Sequence, residues 1–321
     1  MTDDGVPIEA VHVPGDKGLC VIVAHGFTQS WSKPAIWRVA TRLNQLGGVV
    51  SFDFRGHGRS GGLSTLGDRE TRDLDVAVRY ARELGYRRIA AVGFSMGASI
   101  VLRYAGLVGG LDAAVSVSGP AHWYFRGTER MRRVHWAVER RIGRMVTKKL
   151  LETRVTSVRW DPAPVPPAEA AALIAPTPLL IVHGDRDDYF PVYHARQLYD
   201  AAREPKDLWI VPGFGHAERH ADDALVDRIG RWVVQAAEAA GTGTAPQADT
   251  VPAGRAAADG RVVADGRAAA DGWTGPAPDG RAARDGHAAA AGRAAWPEPD
   301  AAEAAAAPGA AEADAAPDAV S

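Results

Sequence analysis

Gly93-Phe94-Ser95-Met96-Gly97 is the stretch on which the reading of this chain turns. A short apolar run, Arg88-Ile89-Ala90-Ala91-Val92, precedes it, and a helix-forming run from Ala98 to Ala105 follows. Strand, then G-x-S-x-G, then helix, is the context of a nucleophile elbow. Such a turn is too tight for side chains at its flanks, hence the two glycines. It forces strained backbone angles on the serine and turns the Ser95 hydroxyl out towards the positive end of the next helix.

Outward from this turn, strand-like and helix-like segments alternate through the first 240 residues. Runs at Ile8 to Val13, Leu19 to Ala24, Gly48 to Asp53, Ala113 to Ser118, Pro178 to His183 and Leu208 to Val211 read as strands. Pro34 to Leu46, Asp68 to Leu84, Tyr193 to Arg203 and Asp222 to Ala237 read as helices, the first with Ile36, Val39, Leu43 and Leu46 at helical spacing. This alternation predicts an α/β fold with a mostly parallel central sheet and helices on both faces. Ligands of such sheets sit in loops at the carboxyl ends of the strands.

Residues from about 121 to 174 break the rhythm. Thr128 to Glu152 reads as one long amphipathic helix with Met131, Val134, Val138, Ile142 and Met145 on one side. The segment from Arg126 to Arg159 holds 11 Lys and Arg against three Glu. An insertion over the carboxyl ends of the strands is expected to form a basic cap. A solvated helix face is the plainer account of its charge; acidic substrates, weak contact with an anionic surface, or the acidic tail folded back over it are the others.

Composition changes near Gly241. Residues 241–321 are mostly Ala, Gly, Pro, Asp and Arg, with 12 acidic and 6 basic residues against 27 and 31 before them. Arg255, Arg261, Arg267 and Trp273 head an approximate six-residue repeat. The units lack the aliphatic residue per turn that a β-helix buries, so a disordered low-complexity tail is expected after a 1–240 domain. A net charge of -2 gives no reason to expect nucleic acid as a partner. No apolar run is long enough for an integral membrane segment, and the acidic start Met1-Thr2-Asp3-Asp4 is unlike a signal peptide, so a cytoplasmic protein is expected. The single cysteine, Cys20, lies in an apolar run and is expected to be a buried strand residue.

A serine nucleophile needs a base, and the base an orienting acid. His216, in the loop Val211-Pro212-Gly213-Phe214-Gly215-His216, is the expected base, with His220 its competitor. The turn His183-Gly184-Asp185-Arg186-Asp187-Asp188 offers three aspartates. Asp187 is preferred, partly on the spacing Gly184-x-x-Asp187-x-x-Phe190-Pro191, and Asp185 stays open behind it. The oxyanion donors expected are the backbone N–H groups of Met96, after the nucleophile, and Phe27, in His25-Gly26-Phe27-Thr28. Trp31, Phe94, Trp123 and Tyr124 are candidates to line an apolar acyl pocket.

Together His25-Gly26-Phe27, Asp53-Phe54-Arg55-Gly56-His57-Gly58-Arg59-Ser60, the Ser95 turn, and His183-Gly184 through Pro191 with Gly215-His216 resemble the α/β-hydrolase superfamily. The serine branch that includes monoacylglycerol lipases, esterases and serine aminopeptidases is the most similar. The resemblance covers residues 6 to 240 and implies Ser95 as nucleophile, Asp187 as acid and His216 as base. It gives the Asp53–Ser60 loop a structural part and leaves His57 without a catalytic one. Dehalogenases and epoxide hydrolases share the fold but use an aspartate where Ser95 stands. The expected reaction is hydrolysis of a small-molecule carboxylic ester, or a thioester or amide, through an acyl-enzyme, with no metal or cofactor required. An acyltransferase on the same residues and a catalytically silent binding protein are the alternatives.

Overall fold

Five of the seven strands are apolar almost without interruption, which suits strands covered on both faces. The computed structural model describes residues 1–242. Its strands are β1 (Ala10–Val13), β2 (Leu19–Ala24), β3 (Gly48–Phe52), β4 (Arg88–Phe94), β5 (Ala113–Val117), β6 (Leu179–Gly184) and β7 (Lys206–Val211). They form one sheet in the order β1-β3-β2-β4-β5-β6-β7, with β1 antiparallel to β3 and every other pairing parallel. The helices are α1 (Pro34–Leu43), α2 (Glu70–Glu83), α3 (Met96–Leu107), α4 (Glu129–Glu139), α5 (Arg141–Leu150), α6 (Pro167–Ala171), α7 (Tyr193–Ala201), α8 (Ala217–His220) and α9 (Asp223–Thr242). Beyond the last two residues of α9, the expected tail lies outside the described residues.

Side chains alternate across β2. Cys20 and Ile22 join the apolar layer that includes Leu74, Val78, Ile100 and Leu198 from α2, α3 and α7. Val21 and Val23 join the opposite layer, with Ile36 and Leu43 of α1 and Ile229 and Val233 of α9. The chain runs from β2 outward to β3, then crosses back to β4 on the other side of β2. That reversal opens a crevice at the carboxyl ends of β2 and β4. The register pairs Ala24 with Phe52 and with Gly93, so the loops carrying His25, Asp53 and Ser95 start at one level.

The expected single helix over Thr128 to Glu152 is two helices. Arg140 is extended (φ -89°, ψ 137°) and separates α4 from α5. A Cβ on Gly143 would lie 2.4 Å from Trp136 O and 2.6 Å from Ala137 Cα, so glycine there lets α5 fold back against α4. The Arg144 guanidinium donates to the free carbonyls of Val138 and Glu139, each at 2.9 Å. With this break Ile142 and Met145 leave the apolar line of Met131, Val134 and Val138 and face solvent.

The inserted segment packs on loops at the carboxyl ends of the strands. Thr153 and Val155 bridge to His57 and Ser64, Trp160 Nε1 donates to Thr65 O, and Thr128 Oγ1 donates to Tyr189 O. Among the described residues no helix is long and apolar enough to cross a membrane.

The Asp53–Ser60 loop is anchored by charge. Buried Arg55 meets buried Asp73 through Nε–Oδ1 (2.9 Å) and Nη2–Oδ1 (2.8 Å), and Asp4 takes Nη1 at 2.8 Å. Burial opposes the Arg55 charge, but the two carboxylates outweigh it and hold its pKa above the ordinary value. Removing one partner of a buried pair leaves an uncompensated charge and costs about 3–5 kcal/mol. Asp73→Asn is therefore expected to lower unfolding free energy in urea by about that amount. A loss under about 1 kcal/mol, the surface-pair range, would show that Asp4 alone satisfies Arg55.

Candidate active site

Ser95 adopts φ 51° and ψ -113°, a strained conformation for a residue with a Cβ. Its surroundings impose it. Ser95 N–H donates to Val117 O at 2.9 Å. A Cβ on Gly97 would lie 2.2 Å from Ala24 O, and one on Gly93 2.4 Å from Gly97 O. The turn thus fits only with glycine on both sides, and α3 starts immediately after it at Met96. The first N–H groups of a helix have no intrahelical acceptor, so Met96 brings a free donor beside the Ser95 side chain.

The structure brings Ser95, His216 and Asp187 into one line. His216 Nε2 lies 2.9 Å from Ser95 Oγ, and His216 Nδ1 lies 2.8 Å from Asp187 Oδ2. A carboxylate only accepts, so Nδ1 carries the proton towards Asp187 and Nε2 is left to accept from the serine. Asp187 Oδ1 accepts from the N–H groups of Tyr189 (2.8 Å) and Phe190 (2.9 Å). Burial alone would raise the Asp187 pKa; the His216 hydrogen bond and charge and the Phe190 N–H outweigh it and hold it below the ordinary value.

The alternatives are placed elsewhere. Asp185 Oδ1 accepts from Gly213 N–H at 2.7 Å, bracing the loop after β7. His220 Nδ1 lies within 3.1 Å of the His216 backbone N and O. His183, buried in β6, donates from Nε2 to Phe190 O at 2.8 Å. Gly184 is required because a Cβ there would lie 1.9 Å from Phe214 O, and that approach brings the His216 loop to Asp187.

The loop after β2 is set by His25. Its ring is buried, and Nε2 accepts from Phe54 N–H at 3.0 Å. The proton is therefore on Nδ1, which donates to Gly26 O at 2.7 Å; Gln29 N–H donates to the same oxygen at 3.1 Å. In a trans peptide the C=O and the next N–H point opposite ways. With Gly26 O held against His25 and Gln29, Phe27 N–H points away from both. The place a Gly26 Cβ would take is 3.4 Å from Ser95 Cβ and 3.2 Å from Glu218 Oε1.

Two neighbours escape the sequence reading. Tyr189 stacks on the His216 ring (centroids 4.1 Å apart, planes at 23°). Its only signal is an aromatic residue two places after Asp187. Glu218 is buried, its Oε2 has no hydrogen-bond partner among the described residues, and burial raises its pKa. Nothing in the sequence distinguishes it from a surface acid of a helix start.

The expected pocket aromatics separate. Phe94 is fully buried in the layer that holds Val92, Val115 and Phe214, because the strand alternation points it away from the crevice. Trp123 packs over Gly67, with Nε1 donating to Pro164 O at 2.9 Å. Tyr124 is 61% exposed on the insertion, edge-on to His135. Trp31 lies on the loop after β2, its N–H donating to Asp53 Oδ1 at 2.8 Å, edge-on to Trp37. Cys20 is buried, and burial pushes its thiol up to about 12. Among the described residues no group of three or more His, Cys, Asp or Glu is arranged to hold a metal ion.

A doubly wound sheet with a strained serine at its switch point, facing a histidine and an aspartate from later strand ends, defines an α/β-hydrolase fold. The sequence model of the alpha/beta hydrolase family matches residues 21–229, and the chain belongs to that family. It is 30% identical over 257 residues to the monoacylglycerol lipase of Mycolicibacterium smegmatis, covering 67% of this chain and 87% of that one. Similarity to the uncharacterized protein YfhR of Escherichia coli is 25% over 229 residues, covering 67% and 72%. The esterase Pf2001 of Pyrococcus furiosus superposes with a TM-score of 0.59 at 24% identity, over 73% of this chain and 90% of that one, and shares the fold.

Burial pushes His25 down to about 4 and His57, 5.1 Å from it, down to about 3. Both are neutral in the fold and regain their ordinary 6.5 on unfolding. Near pH 5.5 these two rings leave the unfolded chain with about 1.8 more protons than the fold, an excess partly offset by the buried Asp73 and Glu218 carboxyls, whose pKa values burial raises; through the rings, stability falls as pH falls. The two rings are expected to remove about 2 kcal/mol of stability between about pH 6 and 5, read from urea unfolding. A dependence still flat after Asp73→Asn has removed one offsetting carboxyl would mean that neither ring is kept neutral.

Proposed function

We propose that the protein is a serine hydrolase that cleaves a small carboxylic ester through an acyl-enzyme. The observation that carries this reading is the continuous line from Ser95 Oγ through His216 to Asp187, at 2.9 and 2.8 Å. His216 Nε2 takes the Ser95 proton as Oγ attacks the acyl carbonyl, and Asp187 stabilises the imidazolium that forms. The N–H groups of Phe27 and Met96 receive the oxyanion; His25 fixes the first through Gly26 O, and the start of α3 supplies the second. His216 then returns its proton to the leaving alcohol, and water activated by the same ring releases the acid. Tyr189, stacked on the imidazole, keeps the ring in the plane this exchange needs. Likeness to a monoacylglycerol lipase and to an esterase supports an ester as substrate.

Labelling with a fluorophosphonate probe tests this. The expected result is one adduct, located on Ser95 by mass spectrometry and absent from Ser95→Ala. Turnover of p-nitrophenyl esters of graded chain length is expected to be lost in the same variant. Asp187→Asn is expected to lower kcat by about 10⁴, since the amide favours the wrong histidine tautomer. No adduct on folded protein, or full turnover by Ser95→Ala, would overturn the assignment.

A further inference from the structure

The inserted helix α5 is amphipathic in an inverted sense. Gly143 and Thr147, small or polar, are buried against the protein, while Ile142 and Met145 are 67% and 52% exposed. At 100° per residue, Met145 and Ile142 share the outward face with Arg141, Lys148 and Lys149. The helix contains no acidic residue. None of those three cations has an ion-pair partner among the described residues, whereas Arg126, Arg130 and Arg133 nearby pair with Glu139, Asp188 and Glu129. The charge on this face of α5 is therefore left uncompensated, whereas three of the nearby arginines are neutralised.

We infer that this outward face of α5 docks on an anionic phospholipid surface. Apolar side chains ringed by cations on one helix face suit the boundary between headgroups and acyl chains. A second copy of the chain would set the same cations against each other. Nucleic acid would neutralise them but leave Ile142 and Met145 facing water. The acidic 241–321 segment has no Leu, Ile, Met or Phe, and only two tryptophans and four valines could cover that pair. Docking would bring the loop that carries Phe27 towards the surface, because Thr153, three residues after α5, bridges to His57, whose ring lies edge-on to Phe27 (centroids 5.7 Å apart). The inference concerns this face alone and does not depend on ester hydrolysis.

Vesicle flotation with the full chain tests it, with no readout of turnover. Binding is expected to vesicles of phosphatidylcholine with 30% phosphatidylglycerol, to be weak on phosphatidylcholine alone, and to fall when salt is raised from about 50 to 500 mM. Each lysine near such a surface is worth about fivefold in partition, so Lys148→Gln with Lys149→Gln is expected to lose about 25-fold. Ile142→Ser with Met145→Ser is expected to lose at least about tenfold. These side chains are exposed, so an unchanged thermal unfolding midpoint would separate lost docking from lost folding. Equal binding to both vesicle types, or no loss in either double variant, would overturn the inference. So would loss in the lysine variant alone together with equal affinity for a DNA duplex, which would mark a general polyanion site.

Discussion

The structure depends on one close approach of backbone to backbone: Gly97 against Ala24 O and His25 O. It presses the start of α3 onto the end of β2, and so joins the two loops that flank the crevice. Ser95 then has no room for a relaxed conformation, and its φ of 51° follows from where its neighbours are. Because the serine backbone is held by Val117 O on one side and the glycine contact on the other, its side chain is aimed by the sheet rather than by its own rotamer preference.

The histidines show how one side chain serves different ends according to what surrounds it. His25 and His57 lie in the interior, their pKa values driven down by burial; both ring nitrogens of His25 bond to the backbone, and His57 bonds to it through Nδ1. His183 and His194 do the same beneath the Asp187 turn, through Phe190 O and Ala121 N–H. They are part of the framework. His216 alone among these five has a hydroxyl on one nitrogen and a carboxylate on the other. Residue type is thus a poor guide to which histidine handles a proton; the partners of its two nitrogens are a good one.

What was legible in the sequence is what depends on near neighbours. Strands buried on both faces appear as apolar runs, and the glycines at 93, 97 and 184 mark places where backbones meet. Ser95, Asp187 and His216 stand at strand ends in the order the fold requires, so their meeting could be expected. What was not legible depends on residues distant in the chain or on contacts specific to one packing. The break at Arg140 comes from Gly143 meeting the backbone of Trp136 and Ala137, a contact no helical periodicity encodes. Phe94 adjoins Ser95 in sequence, but strand alternation turns it into the core. Tyr189 and Glu218 matter through what they lie against, the His216 ring and the loop at Gly26.

The tie from Ser95 N–H to Val117 O has a consequence for how the protein is made. The serine turn is held in shape by β2 on one side and by β5 on the other, and β5 is later in the chain. His216 comes later still, after β7. A nascent or half-folded chain thus contains the serine without the hydrogen bond from its hydroxyl to His216. The arrangement around Ser95 is a property of the finished sheet, and an immature copy lacks it.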